Sequence, residues 1–180
     1  MVRVTAGSAK GRRLVTPKGS TTRPTSDFVR EAVFNVLAPI VDLTGVAVAD
    51  LYAGSGALGV EALSRGAVSC VFVDSDRHAI EAIRTNLATT GLPGGKVVRS
   101  DVLRWATAVG RGGDGFDLVF ADPPYAHGDE AWRTLSAALD ADLFVAESDR
   151  ELDLGEGWRV LRSKRYGSTV VTLVTPWRRP

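Results

Sequence analysis

The chain has 180 residues, 44% of them apolar, and a formal net charge of +1. That length suits one ordinary domain with a proper core, and the composition excludes a long disordered span. A single cysteine, Cys70, excludes an internal disulfide and a multi-cysteine zinc site; the two histidines lack metal-ligand spacing, and no metal is expected.

The first 30 residues carry seven arginines and lysines against Asp27 alone, a net +6, while the remaining 150 are net −5. A basic leader on a mildly acidic body points to a polyanion-binding arm. Residues 1–10 hold no apolar leader segment, and no run approaches the roughly 18–20 apolar residues of a membrane span. A cytoplasmic protein without membrane contact is therefore expected. Residues 2–5 alternate apolar and polar, residues 12–16 form a second short strand, and Gly7, Ser8 and Gly11 lie between them. The pattern predicts a small hairpin carrying Arg3, Lys10, Arg12 and Arg13. Residues 18–24 read as a hinge loop, so residues 1–24 are set apart as the arm and 25–180 as the body.

A helix follows, capped by Thr25 or Ser26, with Phe28, Ala32, Val33, Val36 and Leu37 as its apolar stripe and Pro39 as its end. Strands are expected at residues 46–52, 68–73, 96–99, 116–121 and 143–146. Helices are expected after residue 59 as far as Arg65, then at 76–90, 102–109 and 130–139. Cys70 falls in the second of these strands and reads as a small buried hydrophobe. Two last strands, near residues 158–163 and 169–175, flank Tyr166-Gly167 and should pair antiparallel. Strands alternating with helices predict an α/β fold with a parallel sheet, on which a final antiparallel pair is permitted.

Gly54, Gly56 and Gly59 follow the first strand of the body and open a helix, the setting in which a glycine loop receives a nucleotide-like ligand. Asp74 ends the next strand, where a carboxylate can accept from ribose hydroxyls. This much suits NAD or S-adenosyl-L-methionine. Asp50, four residues before Gly54, complements the cationic end of S-adenosylmethionine and is an odd neighbour for a pyrophosphate. Asp101 closes the third strand and can accept from an adenine amine. All three aspartates also fit a plainer role as helix caps.

Residues 116–121 form an apolar strand that stops at Asp122-Pro123-Pro124-Tyr125. Proline has no N–H to donate, so the pair ends the ladder and stiffens the backbone. Asp122 offers an acceptor oxygen, Pro123 a carbonyl pinned in direction and Tyr125 a flat face. The set suits a planar ring carrying an exocyclic amine.

The glycine loop followed by Asp-Pro-Pro-Tyr resembles the class I S-adenosylmethionine-dependent N-methyltransferases acting on exocyclic amines. More closely, the chain resembles the RsmD-type 16S ribosomal RNA guanine-N2 methyltransferases. The likeness runs through residues 3–14, Arg23-Pro24-Thr25-Ser26-Asp27, Phe34-Asn35, residues 52–67 and residues 116–125. It implies a Rossmann-like, seven-stranded, mostly parallel sheet with a C-terminal antiparallel pair, preceded by a β-hairpin arm. It implies S-adenosylmethionine held by Arg23, Thr25, Asp50, Tyr52, Gly54, Ser55, Gly56, Gly59, Asp74, Ser75, Asp101 and Val102. Catalysis would fall to Asp122, Pro123, Pro124 and Tyr125, and contact with 16S rRNA in the 30S subunit to Arg3, Lys10, Arg12 and Arg13 of a monomer. A DNA amine methyltransferase acting on adenine N6 or cytosine N4 is the alternative, although 180 residues leave little room for a target-recognition domain. A protein glutamine methyltransferase usually has Asn where Asp122 stands. An NAD oxidoreductase and a catalytically silent RNA-binding factor are disfavoured by the tetrapeptide.

Overall fold

A computed structural model describes residues 2–17, 27–109, 115–123 and 129–177. Its centre is a seven-stranded sheet in the order β5-β4-β3-β6-β7-β9-β8. The strands are β3 (Ala47–Leu51), β4 (Ser69–Asp74), β5 (Gly95–Arg99), β6 (Phe116–Ala121), β7 (Ala141–Ser148), β8 (Trp158–Tyr166) and β9 (Thr169–Pro176). Strands β3 to β7 are parallel, β9 runs antiparallel to β7, and β8 runs antiparallel to β9. Two short strands, β1 (Val2–Arg3) and β2 (Arg13–Leu14), form the N-terminal hairpin.

The central strands are mostly apolar because helices cover both of their faces. Val48, Phe72, Leu118 and Phe120 point to one side, where α1 (Asp27–Leu37), α2 (Ala57–Ser64) and α3 (Arg77–Thr90) pack. Ala49, Leu51, Val73 and Val119 point to the other, beneath α4 (Val102–Val109) and α5 (Asp129–Ala138). The chain leaves β3 toward β4 on one side and later returns to β6 on the other. The connections after β3 and β6 leave on opposite faces, and a ligand crevice forms beyond the carboxyl ends of these paired strands.

Several details depart from the sequence reading, and β7 runs two residues further at each end than expected. Phe28 is 69% exposed, whereas Val29, Val33, Phe34 and Leu37 form the buried stripe of α1. The helix is rotated about one residue from the expected face because Phe34 packs on Phe120, 5.6 Å between ring centres, and carries the Arg65 guanidinium on its own ring. Strand β8 extends to Tyr166, three residues beyond expectation, since its mostly charged edge gives no apolar alternation to read. The hairpin is docked on the body: Val2, Val4, Ala9 and Leu14 are buried in the same cluster as α1–α3.

Polar bonds fix that docking. Glu61, fully buried on α2, accepts from the Thr5 N–H at 2.8 Å, the Thr5 hydroxyl at 2.6 Å and the Ala6 N–H at 2.9 Å. It also pairs with Arg65 at 2.9 Å and with buried Arg30 at 3.7 Å. The Ser8 N–H donates to the Ser64 carbonyl at 2.7 Å. At Gly7 a Cβ would lie 1.8 Å from that same carbonyl, so only glycine allows the approach.

Candidate active site

The crevice is built from the turn after β3. Tyr52 has φ 56°, the one non-glycine residue with positive φ among those described, and Gly54 and Gly56 follow at 56° and 73°. Glycine tolerates this left-handed backbone; tyrosine is held there at a cost of about 1–3 kcal/mol. Its ring packs on the α4–α5 side of the core. Burial, and then the charge of Asp101, push its hydroxyl pKa up to about 12. The turn is tightened by a bond from the Gly56 N–H to the Ala53 carbonyl at 2.6 Å. It delivers the chain into α2 with Gly56 as an N-cap that has no side-chain bond.

Two carboxylates brace this loop from behind. Asp74, at the end of β4, accepts from the Gly54 N–H at 2.8 Å through one oxygen and from the Asp76 N–H at 2.9 Å through the other. Asp50, 2% exposed on β3, accepts from the Gly59 N–H at 2.8 Å. It thereby caps the first turn of α2 from a neighbouring strand. Burial pushes the Asp50 carboxyl up to about 8; the Gly59 bond opposes this, and the charges of Asp122 and Asp74 add to it. Asp101 accepts from the Arg104 N–H at 2.9 Å, a helix cap at the start of α4. The cap reading thus holds for Asp50 and Asp101, while Asp74 braces Gly54. None of these bonds uses up a carboxylate, which offers about four acceptor sites.

The glycines differ in purpose. A Cβ on Gly59 would lie 2.3 Å from Phe72 Cε1 and 2.6 Å from Cys70 Sγ, so this glycine lets α2 press on the sheet. A Cβ on Gly54 would meet nothing nearer than the Tyr52 carbonyl at 3.9 Å, so the loop there borders open space. Ser55 is half-buried, Ser75 exposed and Val102 buried. The Ser55 carbonyl accepts from the Asn86 amide at 2.8 Å.

Asp122 follows the last residue of β6, half-buried, and its N–H donates to the Leu51 carbonyl across the strand gap at 3.4 Å. Pro123 beside it is buried. Asp122 acts on Asp50 electrostatically, so the β6 end and the glycine loop share one locale. Three carboxylates gathered there favour a cation, and with the open side of Gly54 they fit the donor set that S-adenosylmethionine requires. Arg23, Thr25, Pro124 and Tyr125 lie outside the described residues. Arg3, Lys10, Arg12 and Arg13 are exposed on the hairpin, and the Arg3 carbonyl accepts from the Arg30 guanidinium.

The sequence reading did not single out Asn86 or assign a role to Glu61. Asn86, 1% exposed on α3, accepts from the Val15 N–H at 2.8 Å and donates to the carbonyls of Val15 at 3.0 Å and Ser55 at 2.8 Å. One amide therefore ties the hairpin exit to the glycine loop. The signal was present: each is a polar residue on an otherwise apolar helix face.

The family described as Conserved hypothetical protein 95 matches residues 2–175. "Putative rRNA methyltransferase YlbH" of Bacillus subtilis is 41% identical, over 96% of this chain and 97% of that one. Ribosomal RNA small subunit methyltransferase D of Escherichia coli is 33% identical, over 96% and 88%. A hypothetical protein of Thermus thermophilus superposes with TM-score 0.83 at 32% identity, over 97% and 99%. The protein described as "SMU.776, a putative methyltransferase complexed with SAH" shares the fold, with TM-score 0.68 at 15% identity, over 86% and 50%.

Proposed function

The chain belongs to the Conserved hypothetical protein 95 family, the RsmD family, and we propose that it is an rRNA methyltransferase that modifies the exocyclic N2 of a guanine in 16S RNA of the 30S subunit. The observation that carries this reading is the placing of Asp122 and Pro123 at the end of β6, one strand from the loop braced by Asp50 and Asp74. The names of the small-subunit relatives support the RNA class, and the exposed hairpin cations support a polyanion.

S-adenosylmethionine, when bound, supplies an electrophilic methyl group. The chain does the rest by holding and orienting. Asp74 keeps the Gly54 turn open toward the crevice, and Asp50 holds the start of α2. The target base leaves its stack to reach the pocket, where Tyr125 stacks on the ring with a contribution of about 1–3 kcal/mol. An Asp122 oxygen and the Pro123 carbonyl accept from the two amine protons, which turns the nitrogen lone pair toward the methyl group. Orientation is the main catalytic contribution. As the new N–C bond would form and the methyl–sulfur bond break, the amine would become acidic, and Asp122 could take its proton without being a strong base beforehand.

The test is methyl transfer from labelled cofactor to 30S subunits lacking the modification, to naked 16S RNA and to DNA, with the modified nucleotide mapped. We expect N2-methylguanine in the RNA, and loss of transfer in Asp122→Ala with cofactor affinity within a few-fold of wild type. Normal turnover by that variant sinks the mechanism. Transfer to DNA alone replaces the substrate.

A further inference from the structure

Strand β8 is the free edge of the sheet and carries four cations, Arg159, Arg162, Lys164 and Arg165, with no acid among its nine residues. A register shift falls between Val160 and Arg162. Arg159 pairs with Thr175 before the shift, and Arg162 and Lys164 pair with Leu173 and Val171 after it. Directly paired residues share a face, and Leu173 and Val171 point to the α1–α3 side. The irregularity therefore brings Arg159, Arg162 and Lys164 onto one face; an unbroken two-residue alternation would have turned Arg159 away. All three are exposed, and none forms an ion pair among the described residues. Arg165 faces the other way and donates to the Asp149 carbonyl at 3.2 Å.

This face joins an exposed aromatic. The Lys164 ammonium lies 5.2 Å over the Tyr166 ring, and Tyr166 meets Phe28 edge-on at 6.1 Å. Phe28, at the start of α1, is the most exposed large apolar side chain among the described residues, at 69%. Two residues on, Arg30 of the same helix donates to the Arg3 carbonyl of the hairpin. The β8 cations thus lie beside the Tyr166 and Phe28 rings, and the helix that Phe28 begins is tied through buried Arg30 to the hairpin. The Tyr166 end of β8 reaches the active-site edge of the sheet, because Tyr166 pairs with Thr169, and Val170 with Ser148 at the carboxyl end of β7. From β6 the distance is three strand spacings, roughly 14 Å.

We propose that the face formed by Arg159, Arg162, Lys164 and Phe28 is a second RNA-contact surface, which holds the sugar–phosphate backbone beside the extruded nucleotide and stacks one unpaired base on Phe28. The inference rests on the RNA substrate proposed above. Cations along a track with an exposed ring are the means by which single-stranded nucleic acid is held without base reading. A second copy of the chain is a poor occupant, since two such edges side by side would set cations against cations.

The test compares full-length wild type, the Arg162→Glu/Lys164→Glu double variant, Phe28→Ala and the charge-keeping Arg162→Lys/Lys164→Arg pair on unmodified 30S subunits. For the charge reversal we expect KM to rise about tenfold or more at 0.1–0.2 M salt and the salt slope of RNA binding to shrink by about 0.7 for each phosphate no longer neutralised. The kcat and the cofactor Kd should be unchanged. Phe28→Ala should raise KM several-fold, and the charge-keeping pair should restore it. Wild-type KM and salt slope in both the charge reversal and Phe28→Ala, from a wild type active on RNA, overturn this surface alone. A shift from dimer to monomer in sedimentation on charge reversal, with KM unchanged, assigns the edge to self-association and also overturns it. No transfer to RNA by the wild type removes the parent reading, and this surface with it.

Discussion

Asp50→Asn isolates the cost of keeping a carboxyl group buried behind the glycine loop. Asp50 has a folded pKa of about 8, against 3.8 for a free side chain, and burial is the main cause. Below pH 4 both folded and unfolded chains hold this proton, so the group contributes nothing. Between pH 4 and 8 the unfolded chain releases the proton and the folded chain keeps it, so stability falls as pH rises. Above pH 8 the cost is complete, about 5 kcal/mol as an upper figure. Asparagine keeps an oxygen for the Gly59 N–H and never ionises. Urea unfolding of the ligand-free protein should therefore show wild type losing stability relative to Asp50→Asn from pH 4 to 8, with parallel curves above. A bound cofactor cation favours the ionised form, so binding at pH 7 should release close to one proton. Titration calorimetry in two buffers of different ionisation enthalpy measures this. The variant should release none and bind more weakly. Parallel stability curves between pH 5 and 8, or buffer-independent heats for wild type, would refute the reasoning.

Gly59→Ala drives a methyl group into Phe72 and Cys70, and should cost about 1–3 kcal/mol in urea unfolding while weakening cofactor binding; wild-type values for both would mean that α2 can lift from the sheet freely. Asn86→Ala leaves the N–H of Val15 and the carbonyls of Val15 and Ser55 without their partner. We expect a loss of about 2 kcal/mol or more, with faster hydrogen exchange at Val15, and unchanged exchange there would show that the bridge is dispensable.

The sheet was legible where chemistry punctuates it. Strand β6 was read to the residue because an apolar run meets Asp122-Pro123, and α3 to within one residue because Asp76 and Gly91 mark its ends. Strand β8 was read short because an edge strand of alternating cations resembles a loop in hydropathy. Phe28 was misplaced because its stripe and that of Val29 differ by one helical step, and only the Phe34–Phe120 contact decides between them. Asp50, Asp74 and Asp101 were singled out at strand ends, but their bonds to the N–H groups of Gly54, Gly59 and Arg104 depend on how strand ends meet loops, which spacing does not encode. For the same reason the hairpin looked like a removable arm: four buried apolar side chains and bonds to Glu61, Ser64 and Asn86 hold it, and its own sequence shows only the exposed cations.

That docking changes how the hairpin can be tested for RNA recognition. Removing residues 1–17 would strip the donors of Thr5 and Ala6 from Glu61, a fully buried acid two residues past Gly59. It would also open the core beside Val33 and Leu63 and leave Asn86 bonded only to Ser55. A buried carboxylate that loses its hydrogen bonds is strongly destabilising, and the disturbance would reach α2 and the cofactor loop. Loss of RNA methylation after such a deletion would therefore say nothing about recognition. Reversing the charge of Lys10 and Arg12, both exposed on the hairpin surface, leaves every docking bond in place and puts the question to the RNA contact alone. The same helices, α2 and α3, hold the hairpin on one side and the glycine loop on the other. The hairpin and the glycine loop thus share one rigid support, and neither can shift far without the other.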